Sequence, residues 1–311
     1  MYRASLIVVV ACGGSRGDPS ITEFAIPTAN SGPHGIAPGG DGALWFTEQV
    51  GKIGRITIAG DVTEVVVPTR GAIPYHIAAA RDGSLWFTEK AASTLGHITL
   101  DGVVTEFVLP RPDSVPTGIT AGPDDAMWFV EDDGNAAGMI TAAGAITEYP
   151  LASAGNEAYG ITLGPDGSLW FTEQGTNHIA SIDGAHVITE FAVPTAAADV
   201  REIITGPDGK LWFTEFTGGN AIGTITPAGV VTERALPTAG AQPFDITLGS
   251  DQNLWFTEKV GNAIGTVTPG GVFSERAIPT EDSEPARITR GPDGNLWFSE
   301  YAANQIGRLA R

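Results

Sequence analysis

One segment occurs seven times in this chain and constrains its fold more than any other feature. Its clearest copy, Gly-Pro-Asp-Gly-Ser-Leu-Trp-Phe-Thr-Glu, runs from Gly164 to Glu173, and every copy places a phenylalanine directly after a tryptophan. The copies follow at intervals of 41 to 43 residues and use all seven tryptophans of the chain: Trp45, Trp86, Trp128, Trp170, Trp212, Trp255 and Trp297. A near-constant period over almost the whole length predicts an array of one repeated supersecondary unit.

Each unit has the pattern of four short β-strands. In the fourth copy, short apolar or alternating runs predict strands over 159–163, 169–173, 179–182 and 187–191. The Gly-Pro-Asp-Gly sequence at 164–167 is typical of a tight turn between the first two strands. Seven units of four antiparallel strands predict an all-β protein, a seven-bladed β-propeller.

The two ends of the array predict that the ring of blades is closed. The last copy stops after its third strand, at 306–309. Residues 21–28 (Ile-Thr-Glu-Phe-Ala-Ile-Pro-Thr) match the fourth-strand region of the fourth copy, at 188–195. We therefore expect the N-terminal strand to complete the last blade, which removes an exposed sheet edge. Residues 20–311 would then form a single propeller domain.

Residues 1–19 differ from the repeats and resemble a leader followed by a tether. Arg3 precedes an apolar run over 4–11, and Cys12, the one cysteine of the chain, comes next. This resembles a bacterial lipoprotein signal, in which Cys12 becomes the lipidated first residue. We therefore expect an exported cell-envelope protein that meets the membrane only through this anchor. An ordinary signal peptide, or an apolar leader with an incidental cysteine, is the alternative.

The charge composition argues against nucleic acid as a partner. The formal net charge is −19, from 36 acidic and 17 basic residues, and much of the acidity recurs at fixed positions of the repeat. Phosphate binding needs clustered lysine and arginine side chains, whereas the basic residues here are scattered. We expect instead a monomer that binds a small molecule or a cyclic peptide on one face of the ring.

Positions that differ between blades are the candidates for a binding site, because a residue present in every blade is normally architectural. The loops entering the first strands and those leaving the second strands lie at the same end of the blades, here called the axial face. The variable residues there carry imidazole, phenol, guanidinium and phenyl groups, which suit an amphipathic ligand. Such variation can also reflect simple tolerance to change. The candidates are His34, Tyr75, His76, Tyr159, Arg201 and Phe244.

Outside this face the sequence gives little sign of chemistry. No G-x-S-x-G occurs within the repeats, since the one match, at 13–17, lies in the predicted tether, and there is no H-E-x-x-H or phosphate-loop motif. His97, His178 and His186 are predicted to be surface or packing residues. Each blade also has a glutamate three residues after its tryptophan. We predict that these seven glutamates hydrogen-bond to loop backbone, with cation binding by one or two of them as the alternative.

The repeat resembles that of the streptogramin B lyases, also called virginiamycin B lyases. The shared elements are Ile-Thr-Glu-Phe, Pro-Thr, Gly-Pro-Asp-Gly-x-Leu-Trp-Phe-Thr-Glu and Ile-Gly-Arg-Ile-Thr, and the resemblance covers residues 20–309. It implies a magnesium-dependent lyase of antibiotic resistance that opens cyclic depsipeptides by elimination across an ester. Such a reaction needs a base for the proton that is lost and a cation on the ester carbonyl.

The resemblance assigns roles that this sequence matches only in part. It implies that Glu284, before the proline of the seventh blade, and Glu300 bind Mg²⁺, with Glu284 in the catalytic site. The two family histidines are not retained, because Phe244 and Ala286 stand at their positions. His34 occupies the same slot in the first blade, where the family tends to have tyrosine. Ring closure would bring His34 near Glu284, so we predict His34 as a relocated base.

Three functions remain open on the sequence. The first is a magnesium-dependent lyase of the kind just described. The second is a non-catalytic cell-envelope propeller that binds a peptide or glycan on the same face, which needs no relocated histidine. The third is a lactonase-like metal hydrolase on a related propeller, which would add water to the ester instead of eliminating across it.

Overall fold

The computed structural model describes residues 20–311, and within them no helix is long and apolar enough to cross a membrane. The first fourteen strands are β1 (Ile21–Ala25), β2 (Pro33–Pro38), β3 (Leu44–Glu48), β4 (Lys52–Ile56), β5 (Val62–Val66), β6 (Pro74–Ala79), β7 (Leu85–Glu89), β8 (Thr94–Ile98), β9 (Val104–Val108), β10 (Pro116–Ala121), β11 (Met127–Glu131), β12 (Ala136–Ile140), β13 (Ile146–Pro150) and β14 (Ala158–Leu163). The other fourteen are β15 (Leu169–Glu173), β16 (His178–Ile182), β17 (Ile188–Ala192), β18 (Val200–Thr205), β19 (Leu211–Glu215), β20 (Ala221–Ile225), β21 (Val231–Ala235), β22 (Pro243–Leu248), β23 (Leu254–Glu258), β24 (Ala263–Val267), β25 (Phe273–Ala277), β26 (Pro285–Arg290), β27 (Leu296–Glu300) and β28 (Gln305–Leu309).

These strands form seven four-stranded antiparallel sheets, and the ring is closed as predicted. Six sheets consist of four consecutive strands, and the seventh has the order β1-β28-β27-β26. The closing pair runs from Ile21 opposite Leu309 to Ala25 opposite Gln305. The seven-bladed β-propeller is thereby confirmed. Residues 1–19, including the predicted lipidation site Cys12, lie outside the described residues.

The tryptophans pack each blade onto the next one, as the repeat predicted. Trp297 of the seventh blade, for example, lies in a buried cluster with Leu44 and Phe46 of the first blade. In six blades the indole Nε1 also donates to the aspartate of the Gly-Pro-Asp-Gly-type turn, at 2.9 to 3.3 Å. The recurring Trp-Phe pair thus supplies the apolar contact between sheets, and its aspartate orients the indole.

A glycine on the third strand of six blades makes room for the phenylalanine of the second strand. In the fifth blade, a Cβ added at Gly223 would lie 2.1 Å from the ring of Phe213, which is fully buried. The fourth blade has Ala180 at the equivalent position. The ring therefore lies flat against the backbone of the neighbouring strand, and the glycine is needed for close approach and not for an unusual backbone angle.

Hydroxyl groups on the second strands join the first strands of neighbouring blades. Ser299 accepts a hydrogen bond from the Arg287 backbone N–H at 3.0 Å and donates to the His34 carbonyl of the next blade at 2.6 Å. In the third blade Val130 replaces the hydroxyl residue, and the Thr117 side chain donates to the Ala158 carbonyl at 2.7 Å instead. These bonds hold the first strands close around the axis. The other hydroxyls of the series belong to Thr47, Thr88, Thr172, Thr214 and Thr257.

Replacement of the third-strand glycine tests this packing. The Gly223→Ala variant should lose about 1–3 kcal/mol of unfolding free energy, because the added methyl forces the Phe213 ring to move. A Cβ added at Gly184 would have no neighbour within 4 Å, so Gly184→Ala is the matched control. Denaturant titration monitored by tryptophan fluorescence measures both. Equal midpoints for the two variants would contradict the packing argument.

Candidate functional site on the axial face

Four aromatic side chains meet around the propeller axis and close it at the axial face. His34, Tyr75, Tyr159 and Phe244 come from the first strands of the first, second, fourth and sixth blades. His34 stacks on Tyr75 with a centroid distance of 4.0 Å, and the following three contacts around the ring are edge-on at 6.1, 6.2 and 5.8 Å. We call these four residues the axial aromatic ring. They are all among the predicted site residues, and the structure brings them together.

Hydrogen bonding determines which nitrogen of His34 carries the proton. His34 Nδ1 lies 3.1 Å from the Tyr75 carbonyl oxygen, which can only accept, so Nδ1 must be the donor. Nε2 of the neutral ring therefore has a free lone pair. Burial lowers the pKa of His34 well below its usual value, and the charges of Arg287 and Lys259 lower it further. At neutral pH His34 is an uncharged imidazole with Nε2 as its basic atom.

His76 has the opposite tautomer. Its Nδ1 accepts a hydrogen bond of 2.9 Å from the Ile119 backbone N–H, so the proton of the neutral ring is on Nε2. Burial and the charge of Arg287 lower the pKa of His76 well below its usual value. The two predicted histidines are thus held neutral and are not equivalent, since one presents a lone pair and the other an N–H at Nε2.

The two tyrosines of the axial aromatic ring form a hydroxyl pair. Tyr75 Oη and Tyr159 Oη lie 2.5 Å apart. One hydroxyl donates to the other, which leaves the proton of the accepting hydroxyl for a further partner. Burial raises the pKa of Tyr159 well above its usual value, so the Tyr159 hydroxyl keeps its proton at physiological pH.

A buried charge cluster lies next to the axial aromatic ring. Arg287 is 1% exposed and forms an ion pair with Glu202, while its Nη1 lies 3.7 Å from Asp245 Oδ1. The guanidinium is 5.4 and 5.6 Å from the ring centroids of Tyr159 and Phe244, within cation–π range. Burial raises the pKa of both carboxyl groups, and Arg287 opposes that shift.

Glu202, Asp245 and Arg287 are not among the residues that the sequence predicted for the site. They immediately follow Arg201, Phe244 and Ala286 on three different first strands. The only available signal was that charged residues replace the glycine found at this position in the first, third and fourth blades. Their mutual pairing depends on distances across the axis, which no repeat pattern encodes.

Three cations surround the axial aromatic ring, each over an aromatic face and beside an acid. Lys90 lies 5.1 Å from the Tyr75 ring centroid, Arg201 lies 5.1 Å from that of Tyr159, and Lys259 lies 5.4 Å from that of Phe244. Their acidic partners are Asp132 at 3.8 Å, Asp199 at 2.8 Å and Glu284 at 3.5 Å. Arg201, a predicted ligand-binding residue, therefore lies at the rim of the site.

A groove opens beside this rim. It has a volume of about 440 Å³ and joins residues of the fifth, sixth and seventh blades. Its lining combines an aromatic ring, a lysine, carboxylates and amides, which suits a ligand with apolar and polar parts. The lining residues are Phe216, Gln242, Lys259, Val260, Asn262, Asp282 and Glu284.

Comparison with known proteins shows to which family the chain belongs. Residues 12–205 and 201–311 match the Virginiamycin B lyase family. The chain belongs to this family. A solved streptogramin B lyase structure is similar at 40% identity with a TM-score of 0.90, over 94% of this chain and 97% of that one.

Two further matches agree. A catalytically inactive histidine-to-alanine variant of virginiamycin B lyase from Staphylococcus aureus, with quinupristin, shares 40% identity and a TM-score of 0.90, over 94% of this chain and all of that one. Virginiamycin B lyase of Bacillus licheniformis is 46% identical over 43 residues, a match that spans 14% of this chain and 15% of that protein. The family resemblance predicted from the repeat is thereby confirmed.

The resemblance to virginiamycin B lyases predicts that two carboxylates, those of Glu284 and Glu300, bind Mg²⁺. In the structure these two side chains do not form a preformed metal site. The Glu284 side chain is 46% exposed and pairs with Lys259. Glu300 is fully buried within its blade, and the Glu23 carboxyl lies beside it. Burial, together with this neighbouring carboxyl, raises the pKa of Glu300 to about 8. No cluster of three or more potential metal ligands occurs within residues 20–311. Magnesium binding stays a prediction, and we derive no chemical step through it.

The contacts of the glutamates that follow the Trp-Phe pairs differ from those that the sequence predicted. They do not hydrogen-bond to loop backbone; each faces the glutamate of its own fourth strand instead. Glu300 is one member of this series and has no contact in the structure that sets it apart as a ligand. The other members are Glu48, Glu89, Glu131, Glu173, Glu215 and Glu258.

Nuclear magnetic resonance can test the two histidine tautomers. We expect ¹⁵N spectra to show His34 protonated on Nδ1 and His76 protonated on Nε2, with neither ring titrating between pH 6 and 8, because their pKa values are depressed by burial. A titration of His34 near pH 6.5 would contradict its burial among aromatic rings and cations.

Loss of the Arg287 charge should lower the free energy of unfolding. The Arg287→Met variant leaves Glu202 and Asp245 buried without a counter-ion, so we expect a loss of about 3–5 kcal/mol in unfolding free energy. The loss should be smaller at pH 5 than at pH 8, because protonation removes the uncompensated charge. Adding Glu202→Gln should recover part of the stability at pH 8. Denaturant titrations at the two pH values measure this, and equal losses at both would contradict the charge argument.

Proposed function

We propose that this protein opens the ester of a cyclic depsipeptide by elimination, with His34 as the base and the axial face as the binding surface. Membership of the virginiamycin B lyase family supports the reaction class. The observation that carries the proposal is the fixed tautomer of His34, which leaves an unprotonated Nε2 on a neutral imidazole at the axis. A general base must be unprotonated at the working pH, and His34 meets that condition.

The reaction balances without water. His34 Nε2 takes a proton from the carbon next to the one that bears the alkoxy oxygen of the ester. The electron pair of that C–H bond forms a double bond between these two carbons as the bond from carbon to the ester oxygen breaks. The products are an alkene and a carboxylate at the two ends of the opened ring, and the imidazolium returns its proton to solvent. We assign stabilisation of charge on the ester carbonyl to the free proton of the Tyr75–Tyr159 hydroxyl pair.

The predicted ligand-binding residues have distinct roles in this proposal. Tyr75, Tyr159 and Phe244 offer aromatic surface for apolar parts of the ligand, and Arg201 at the rim offers hydrogen-bond donors to its carbonyl groups. His76 supports Ile119 rather than contacting the ligand directly. Binding of Mg²⁺ by Glu284 and Glu300 would supply a further cation for the carbonyl; it belongs to the prediction from resemblance.

Mass spectrometry of the product tests the proposal. Incubation with quinupristin should give a linear product of unchanged mass, whereas hydrolysis would add one water. His34→Gln should reduce the rate by about 10²–10⁴-fold, as expected for loss of a general base. His97→Gln, on a third strand away from the axial face, is the matched control. An intact ring after long incubation at high enzyme concentration, with and without Mg²⁺, would reject the proposal for this substrate class.

A second candidate function rests on two specific observations. His34 is 5% exposed, and Phe244 and Ala286 stand where the family resemblance places histidines. Both observations suit a non-catalytic propeller that binds a peptide or glycan at the axial face. In that case quinupristin or a related ligand would raise the thermal midpoint without being consumed. Activity gained only in a Phe244→His/Ala286→His double variant would support this second function.

Cellular location is part of the proposal. An exported lipoprotein anchored through Cys12 would place the axial face in the cell envelope, where it could meet a cyclic peptide before the peptide enters the cell. Mass spectrometry of the mature N-terminus would detect a diacylated Cys12, and an unmodified N-terminus would exclude the anchor.

A further inference from the structure

Each blade contains two glutamates whose carboxyl groups meet in its interior. The inner glutamate ends the second strand, and the outer glutamate lies on the fourth strand, opposite a glycine of the third strand in six of the seven blades. In the sixth blade, a Cβ added at Gly265 would lie 2.8 Å from Glu258 Oε1, and Glu275 is the residue paired with Gly265 across the strands. The glycine therefore leaves the space through which the two carboxyl groups face each other.

The outer glutamate is held as a hydrogen-bond acceptor by the preceding blade. Glu233 of the fifth blade accepts from the Thr195 backbone N–H at 2.9 Å and from the Thr195 hydroxyl at 3.0 Å. The same clamp joins Thr69 to Glu106 at 2.9 and 2.8 Å. Two donors on one carboxylate favour its ionised form. These clamps link one blade to the next, and in the third blade Arg111 takes the place of the threonine, with its Nε 3.3 Å from Glu148 Oε2.

The inner glutamate has no comparable partner. Both carboxyl oxygens of Glu215 are buried and accept no hydrogen bond from the described residues, and the same holds for Glu89. Lys52 faces the first-blade pair, and Arg111 faces the third-blade pair. Among the described residues, no cation contributes to the pKa of the inner glutamates of the second, fifth and sixth blades. Because the inner carboxyl is buried beside a second carboxylate, ionising both is costly, so the one without donors keeps the proton.

We propose that the inner glutamates of the first, second, third, fifth and sixth blades each hold a proton in the folded protein and donate it to the outer glutamate. The clamp between blades then depends on bound protons, and the folded ring becomes less stable as the pH rises. The inner residues are Glu48, Glu89, Glu131, Glu215 and Glu258, and their outer partners are Glu64, Glu106, Glu148, Glu233 and Glu275.

The direction of the pH effect follows from the two states. Burial, and then the neighbouring carboxylate, raises the pKa of Glu215 in the folded protein to about 8 from an ordinary value of 4.5. Between these values the folded state holds a proton that the unfolded chain has already lost. Stability contributed by the pair is therefore fully present below about pH 4.5 and is lost as the pH rises toward 8.

The fourth blade provides an internal exception. Ala180 replaces the glycine there, and Glu173 accepts hydrogen bonds from Asn156 Nδ2 at 3.1 Å and from Thr176 Oγ1 at 3.2 Å. Burial and Glu190 still raise the pKa of Glu173 to about 7, but with donors of its own this inner carboxyl depends less on a proton. The seventh-blade pair, Glu300 with Glu23, is left out of the proposal because Glu300 is a predicted metal ligand.

The Glu215→Gln variant tests the proposal directly. Its amide can donate to Glu233 as the protonated acid does, but it cannot titrate. Unfolding in weakly buffered denaturant at pH 6.5 should release one proton fewer from this variant than from the wild type. Glu281→Gln, which changes an exposed glutamate, makes the same change in charge and should release the same number as the wild type. Equal proton release from wild type and Glu215→Gln would overturn the proposal.

The pH dependence of stability gives a second readout. Between pH 5 and 7, the unfolding equilibrium constant of the wild type should rise about tenfold per pH unit relative to that of Glu215→Gln, which corresponds to one proton. Glu89→Gln in the second blade should behave in the same way, so that failure of one variant to fold does not end the test. The wild type and Glu281→Gln would be compared with whichever of Glu215→Gln and Glu89→Gln folds. If stability depends on pH in the same way in all of them, the inner glutamate holds no proton.

Discussion

Closure of the ring is the constraint on which the rest of this structure depends. The pairing of β1 with β28 joins the two ends of the described chain and places the first blade beside the seventh. The same junction carries the Ser299–His34 hydrogen bond, which continues the series of contacts between first strands around the axis. Without the closing strand, β28 would expose an unpaired edge, and His34 would have no neighbour on one side.

Closure also explains why a small set of side chains fills the axis. Seven first strands converge there, and large residues fit only because some neighbours are small. Thr117 and Ala286 leave room beside the axial aromatic ring, so Tyr75 can reach Tyr159, and Phe244 can reach His34. The buried Arg287 then meets two carboxylates and two aromatic faces. Low dielectric makes each of these polar contacts strong and each unpaired group costly.

The repeat makes the fold regular, but it does not distinguish functional residues from architectural ones. A residue that recurs in every blade, such as the glutamate after the Trp-Phe pair, occupies one kind of environment seven times. Glu300 therefore looks like its six counterparts in burial and in its facing glutamate. Residues that break the repeat, such as His34 and Arg287, are the ones that make the axial face different from a generic propeller.

The sequence alone determined the seven blades, the four strands of each, the closing N-terminal strand and the family, because period, turn residues and alternation are local signals repeated many times. It also indicated that His34, Tyr75, Tyr159 and Phe244 share a face, since strand entries lie at one end of every blade. Only the tertiary structure decided the Arg287 cluster, the two histidine tautomers and the facing glutamates. These features depend on contacts across the axis and between strands. The residues in contact lie a few ångströms apart in space but tens to hundreds of residues apart in the chain.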